Sequence, residues 1–255
     1  MRNRTTALVV AAGVALLAPA CYTAAAQQSP SEPDAKSPRG TPGSSATAVR
    51  EGTVREGTMR EGTVRAADLL AATRSCKQIS HGKYRTDDGA RADVPVCASR
   101  GAVHWKADMD IDCDGRRTKA CNRRTDPLFQ PTTAFQQSDG RHLNAERLPY
   151  VVVPGASHRW KHAEHGVTGG TVAAVVHRDR VQYAVVGDTG PTDLIGEASY
   201  ATARALGIRP DPRTGGTGDD VTYILFKGHK AQPIESHRAA VARGDALARE
   251  FVRRN

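Results

Sequence analysis

A β-rich α+β domain, a closed β-barrel with peripheral helices, is the fold class that this sequence predicts for its last three quarters. Short runs rich in Val, Tyr and Ile recur between Gly, Pro and Asp punctuation. Those runs are nearly continuous in apolar residues, the pattern of strands buried on both faces. Two amphipathic stretches stand apart from them as helices.

The chain opens with no barrel signal. Residues 1–26 carry Arg2 and Arg4, an apolar run from Ala7 to Ala18, and Ala24-Ala25-Ala26. That is a charged n-region, an h-region and a cleavage site, the pattern of a secretory signal peptide, and the run is too short to cross a bilayer. A lipoprotein signal on Cys21 is the runner-up, weakened by Ala18-Pro19-Ala20 before it. Residues 27–65 read as a disordered linker, first rich in Pro, Ser and Gly and then a five-residue repeat, REGTVREGTMREGTVR, from Arg50 to Arg65. Each unit carries one apolar residue, so no core is expected there. Residues 66–255 are long enough for one well-cored domain.

Within that domain, Tyr150 to Val153 reads as a strand ending at Pro154. Thr171 to Val176 and Val181 to Val186 form a hairpin across HRDR, and Val221 to Phe226 is a further strand. After Val186, Gly187-Asp188 reads as a turn out of the barrel, with a loop through Thr189-Gly190-Pro191. One helix is expected from Gly196 to Leu206, stopped by Gly207, and another from Pro233 to Arg253, weakened by Gly244.

Without Cys21, four cysteines remain: Cys76, Cys97, Cys113 and Cys121. An even count in an exported chain implies two disulfides with three possible connectivities, of which the sequence-local pairs Cys76–Cys97 and Cys113–Cys121 are preferred. No C-x-x-C pair supports zinc. The formal net charge is +9. Such a charge favours solubility and loose affinity for polyanions, and it hinders a cationic polymer unless the cleft is locally acidic.

One stretch is locally acidic. DMDIDCDG, Asp108 to Gly115, opens like an EF-hand loop from Asp110, but position 12 is Cys121 instead of a bidentate Glu. Read as a strand, it puts Asp108, Asp110 and Asp112 on one face and Met109, Ile111 and Cys113 on the other. Such carboxylates suit protonated amines, or else form a solvated face neutralised by Arg116, Arg117 and Lys119. HRWKHAEH, His158 to His165, offers imidazoles at metal-ligand offsets but reads as a surface loop. Trp105 and Trp160 are candidates for sugar stacking or for the core. TGGTGDD lacks the P-loop lysine, and no G-x-S-x-G is present.

Asp188 after a strand and Glu197 at a helix start, nine residues on, form a pair of carboxylates able to face one cleft. Glycoside hydrolysis needs such a pair, one to protonate the leaving oxygen and one to activate water. The plainer reading makes Asp188 a turn residue and Glu197 a residue favoured by the helix dipole.

The blocks HWKADMDIDCDG (104–115), DPLFQPTTAF (126–135), LPYVVVP (148–154), VQYAVVGDTGP (181–191), IGEASYATARALGI (195–208) and VTYILFKG (221–228) resemble glycoside hydrolase family 75, the secreted endo-chitosanases. The resemblance implies inverting hydrolysis of β-1,4 bonds in chitosan, with no cofactor and no metal. It places the essential carboxylates on Asp188 and Glu197, with Asp108, Asp110, Asp112 and Thr189 toward the substrate. The GDTG loop also resembles that of double-psi β-barrel hydrolases and lytic transglycosylases. That implies a six-stranded double-psi-like barrel, with Glu197 as general acid and Asp188 as general base. A secreted monomer with no nucleic-acid or membrane partner is expected. The rivals are a peptidoglycan-cleaving hydrolase or lytic transglycosylase, and a non-catalytic binder of wall polyanions.

Overall fold

The computed structural model describes residues 61–255. The expected signal peptide, residues 1–26 with Cys21, and residues 27–60 of the expected linker lie outside the described residues.

Eight strands and three α-helices make up the domain. In chain order they are α1 (Ala66–Ala72), β1 (Lys77–Gln78), β2 (Cys97–Ser99), β3 (Ala102–Asp112), β4 (Tyr150–Pro154), β5 (Thr171–His177), β6 (Arg180–Gly190), β7 (Glu197–Ser199), α2 (Tyr200–Leu206), β8 (Thr217–Lys230) and α3 (His237–Arg254). Six strands close on themselves in the order β3-β7-β4-β6-β5-β8, with β8 returning to β3. The β3–β7 and β4–β6 pairs are parallel and the other four antiparallel. The predicted barrel with peripheral helices is therefore the fold, and β1 and β2 extend it as a flap on β3.

Strand alternation sorts the core into two clusters. One takes residues from all six barrel strands, among them Val103, Trp105, Ala107, Met109 and Ile111 of β3, Val151 and Val153 of β4, and Val221, Tyr223 and Leu225 of β8. It fills the barrel. Trp105 stacks on Tyr223 at 5.4 Å between ring centroids and meets Trp160 edge-on at 6.2 Å. Both tryptophans are thus core residues. The other cluster lies on the outer face, where α3 packs on β5, β6 and β8 and α1 packs on β5 and α3.

On α3, Ala240, Gly244, Ala248 and Phe251 face inward, the spacing of one helical face. Gly244 does not break this helix, because a Cβ there would lie 2.4 Å from the Tyr183 ring and the bare backbone lets α3 settle on β6. HRWKHAEH is not a free surface loop. His162–His165 form a 3-10 turn, His162 is buried, and the Trp160 indole donates to His165 Nδ1 at 3.1 Å. No helix among the described residues is long and apolar enough to cross a membrane.

Two expectations are corrected at the site's edge. The strand beginning at Arg180 does not stop at Val186 but runs through Asp188 and Thr189 to Gly190, paired with β4. The helix expected from Gly196 begins only at Tyr200. Glu197-Ala198-Ser199 instead form strand β7, inserted between β3 and β4. Ser199 caps α2, accepting the Thr202 N–H at 3.2 Å, an arrangement contributing about 1 kcal/mol.

Candidate active site

The site is a row of residues across four strands. Asp110 of β3 pairs with Glu197 of β7, Glu197 with Val152 of β4, and Val152 with Asp188 of β6. Directly paired residues project to the same side of a sheet. Val152 belongs to the outer cluster, so all four side chains point out of the barrel.

A β-bulge puts Asp188 there. Along β6, Ala184 and Val186 point into the barrel, and simple alternation would send Asp188 inward as well. The register shifts between the Val151–Val186 and Val152–Asp188 pairs, leaving Gly187 as the extra residue. Only glycine fits, since a Cβ at 187 would lie 2.6 Å from Tyr150 Cβ and 2.8 Å from Leu143 Cδ1.

Asp188 and Glu197 stand two strand spacings apart, about 10 Å between backbones. The Glu197 side chain narrows that gap. Its Oε2 lies 3.4 Å from where a Cβ of Gly190 would be, so it leans across Val152 toward β6. Glu197 sits on strand β7 and not at the helix start where the sequence placed it.

The long connection between β3 and β4 builds the rest of the site. Its start is pinned by the Cys113–Cys121 disulfide, next to Asp112; Cys76–Cys97 is the other bridge, so the sequence-local pairs are the ones formed. Cys113 follows the end of β3 and joins the outer cluster, leaving the inner face it was expected to share with Met109 and Ile111. The connection returns over the barrel to give the Ala134 N–H to Asp188 Oδ1 at 2.7 Å, and the same oxygen accepts the Thr189 N–H at 2.7 Å.

Asp188, Asp112 and Asp114 bring carboxylate oxygens within 4.8 Å of one another. Asp112 Oδ1 accepts the Asp114 N–H at 2.6 Å, Asp114 Oδ1 accepts the Gln130 N–H at 2.7 Å, and the Tyr150 hydroxyl donates to the Asp114 carbonyl at 3.1 Å. Burial pushes the Asp188 carboxyl up to about 6; the two amides oppose this and the Glu197 charge adds to it. Asp114 rises to about 7, again mainly through burial. Asp112 is raised well above the usual range by burial and then by Glu197, Asp114 and Asp188.

Asp112 is only 5% exposed. It therefore belongs with Asp188 inside the acid cluster and does not share an open binding face with Asp108 and Asp110. Those two are half-buried and form a second group with Asp87, oxygens again within 4.8 Å. Sequence reasoning missed Asp87, which has no motif, and reached Asp114 only as position 5 of the discounted EF-hand loop, leaving it out of the substrate-facing row. Either group has the oxygen chemistry that a hard cation accepts. An EF-hand arrangement is excluded by position, because Asp110 falls in one group and Asp112 and Asp114 in the other. Thr189 is half-buried beside Asp188 and gives it its amide.

Residues 109–251 match the family described as fungal chitosanase of glycosyl hydrolase group 75. The chain belongs to this family. The matched span contains Asp110, Asp112, Asp114, Asp188 and Glu197. Among curated relatives, this group 75 chain is 34% identical over 136 residues to endo-chitosanase B of Aspergillus oryzae, covering 50% of the chain and 56% of that protein. It is 30% identical over 171 residues to endo-chitosanase C of Aspergillus oryzae, covering 63% and 42%. To an endo-chitosanase of Aspergillus fumigatus it is 32% identical over 142 residues, covering 53% and 59%. The chain spans about half the length of the curated relatives it matches.

Proposed function

We propose that this group 75 chain is a secreted endo-chitosanase, hydrolysing β-1,4 bonds of chitosan with inversion, Glu197 acting as general acid and Asp188 as general base. The observation that carries the reading is the row Asp110–Glu197–Val152–Asp188, two carboxylates two strands apart on one face. Inverting enzymes hold their carboxyl groups roughly 6.5–9.5 Å apart to admit a water. Two strand spacings, narrowed by the lean of Glu197, suit that gap.

The hydrogen bonds support these roles. Two amides on Asp188 Oδ1 favour its ionised form and leave Oδ2 to take a proton from the attacking water. Glu197 then protonates the departing glycosidic oxygen. This chemistry needs no cofactor. Asp87, Asp108 and Asp110 supply the local negative charge that a cationic polymer requires on a basic protein, with Thr189 offered to a sugar hydroxyl. Export accords with the signal pattern and with two disulfides, and the proposed enzyme works as a monomer.

The test is to incubate the protein separately with chitosan, chitin and peptidoglycan and follow product anomers by NMR. Chitosan cleavage releasing only α-anomers is expected. Initial β-anomers would overturn inversion, and cleavage of peptidoglycan alone would transfer the site to a wall hydrolase.

Two further results are expected. If Asp188 is the base, kcat/KM rises with pH through about 6, where its carboxyl ionises. Because the acids interact, the limb belongs to the cluster as a whole. A fall through the same region would make Asp188 the acid. Asp110→Asn should raise KM for chitosan about tenfold with kcat within about threefold, the behaviour of a charge contact used in binding. An unchanged KM would remove Asp110 from the binding face.

A further inference from the structure

The last copy of the pentapeptide repeat is docked, although the sequence assigned residues up to Arg65 to a disordered linker. Strand β4 pairs with β6 only from Val185 onward, so β6 has an open edge at Tyr183. Glu61 occupies it. Its Oε2 accepts the Tyr183 N–H at 3.0 Å and its Oε1 lies 2.5 Å from His237 Nε2. Gly62 then passes so close that a Cβ would lie 2.4 Å from Asp245 Oδ1 and 2.8 Å from the Tyr183 ring; its φ of +74° is itself one that L side chains rarely adopt. Asp245 Oδ1 accepts the Thr63 N–H at 2.7 Å and the Val64 N–H at 3.3 Å. Arg249 donates to the Thr63 hydroxyl at 3.0 Å and also bonds Asp245. Val64 packs on the outer cluster.

Each residue of the unit is thus read by a different feature of the groove. Glutamate supplies the acceptor, glycine the close approach, threonine the amide and hydroxyl, and the fourth residue an apolar side chain. The same requirements are met at Glu51-Gly52-Thr53-Val54 and Glu56-Gly57-Thr58-Met59. The one position that varies between copies, Val or Met, is the one where the groove asks only for apolar contact.

We propose that the groove formed by Tyr183, His237, Asp245 and Arg249 is an intramolecular receptor for the E-G-T-[V/M] unit, and that any of the three copies can occupy it. The domain is then tied to the preceding chain at an attachment point that can move in steps of five residues. A shift adds five residues between the groove and α1, a small entropic cost for a surface loop.

The test uses the full chain and the exchange rate of the Tyr183 amide, the proton that the repeat glutamate accepts. In E61A an upstream copy takes over, and exchange stays within about threefold of wild type. In the triple variant E51A/E56A/E61A no copy can accept this proton, and exchange accelerates about tenfold or more. The fluorescence of Trp105 and Trp160, inside the barrel, reports in both that the fold is intact. Equal acceleration in the single and triple variants would overturn the moving attachment. No acceleration in the triple variant would overturn the receptor. Protection rising with protein concentration would put a second molecule's repeat in the groove and overturn the intramolecular assignment.

Discussion

Asp188→Asn and Glu197→Gln are each expected to lower kcat on chitosan by about 10²–10⁴-fold, the range that a positioned proton-transfer group contributes, while polymer binding persists. The Asn variant separates chemistry from folding cleanly. Its amide oxygen can still accept the Ala134 and Thr189 N–H groups that Asp188 Oδ1 accepts, so the local backbone is kept. Stability should rise. An acid whose folded pKa is raised favours folding at low pH, and that advantage is lost as pH climbs from the unfolded value near 3.8 through about 6. Ionised Asp188 therefore costs the fold something of order 1–3 kcal/mol at neutral pH. Replacing it by Asn should raise Tm at pH 7 by several degrees and leave Tm near pH 3 little changed. A variant with full turnover, or one destabilised at pH 7, would remove Asp188 from the role given to it.

The second large effect is expected at a residue with no side chain. Gly187→Ala should lower kcat about 100-fold and destabilise the protein by about 1–3 kcal/mol, the usual cost of an overpacked core. The new methyl group would press on Tyr150 and on Leu143. Relief requires β6 to move from β4 at the residue before Asp188, and displacements of about 1 Å cost rates of this order. Measuring kcat, KM and Tm together checks the cause. A falling kcat at constant KM with a lowered Tm is the expected signature, whereas unchanged kcat would show that the bulge does not set the position of Asp188.

The same bulge marks where the sequence stopped being legible. The barrel strands were readable because their apolar runs are long enough to declare themselves, as in Val172 to Val176 of β5. Gly187-Asp188-Thr189-Gly190 has the composition of a turn, and its backbone is extended only because β4 lies alongside to receive it. Glu197-Ala198-Ser199 shows the converse. Its residues continue into a good helix, and three residues are too few to display a period of two. Pairing with β3 and β4 makes them a strand. Asp188 and Glu197 were found through family blocks, but their common face depends on a register that no local pattern encodes. Asp108 and Asp110 were legible from alternation alone. Asp87 and Asp114 were not, since loops bring them in. At the other end, EGTV contains too little apolar surface to suggest docking; its contacts are mostly polar and depend on an edge of β6 left open by the short β4.

Under the proposed mechanism, the course of the reaction at the anomeric carbon is tied to the barrel lattice. Retaining hydrolases hold their carboxyl groups only about 5–5.5 Å apart, close to one strand spacing. Between Asp188 and Glu197 the intervening rung is Val152. In the proposed enzyme, a retaining arrangement on adjacent strands would pair Asp188 or Glu197 with an acid on the rung between them. That rung is Val152, a position committed to the outer core, so for the proposed enzyme a change of stereochemical course and a cost in stability would arrive together.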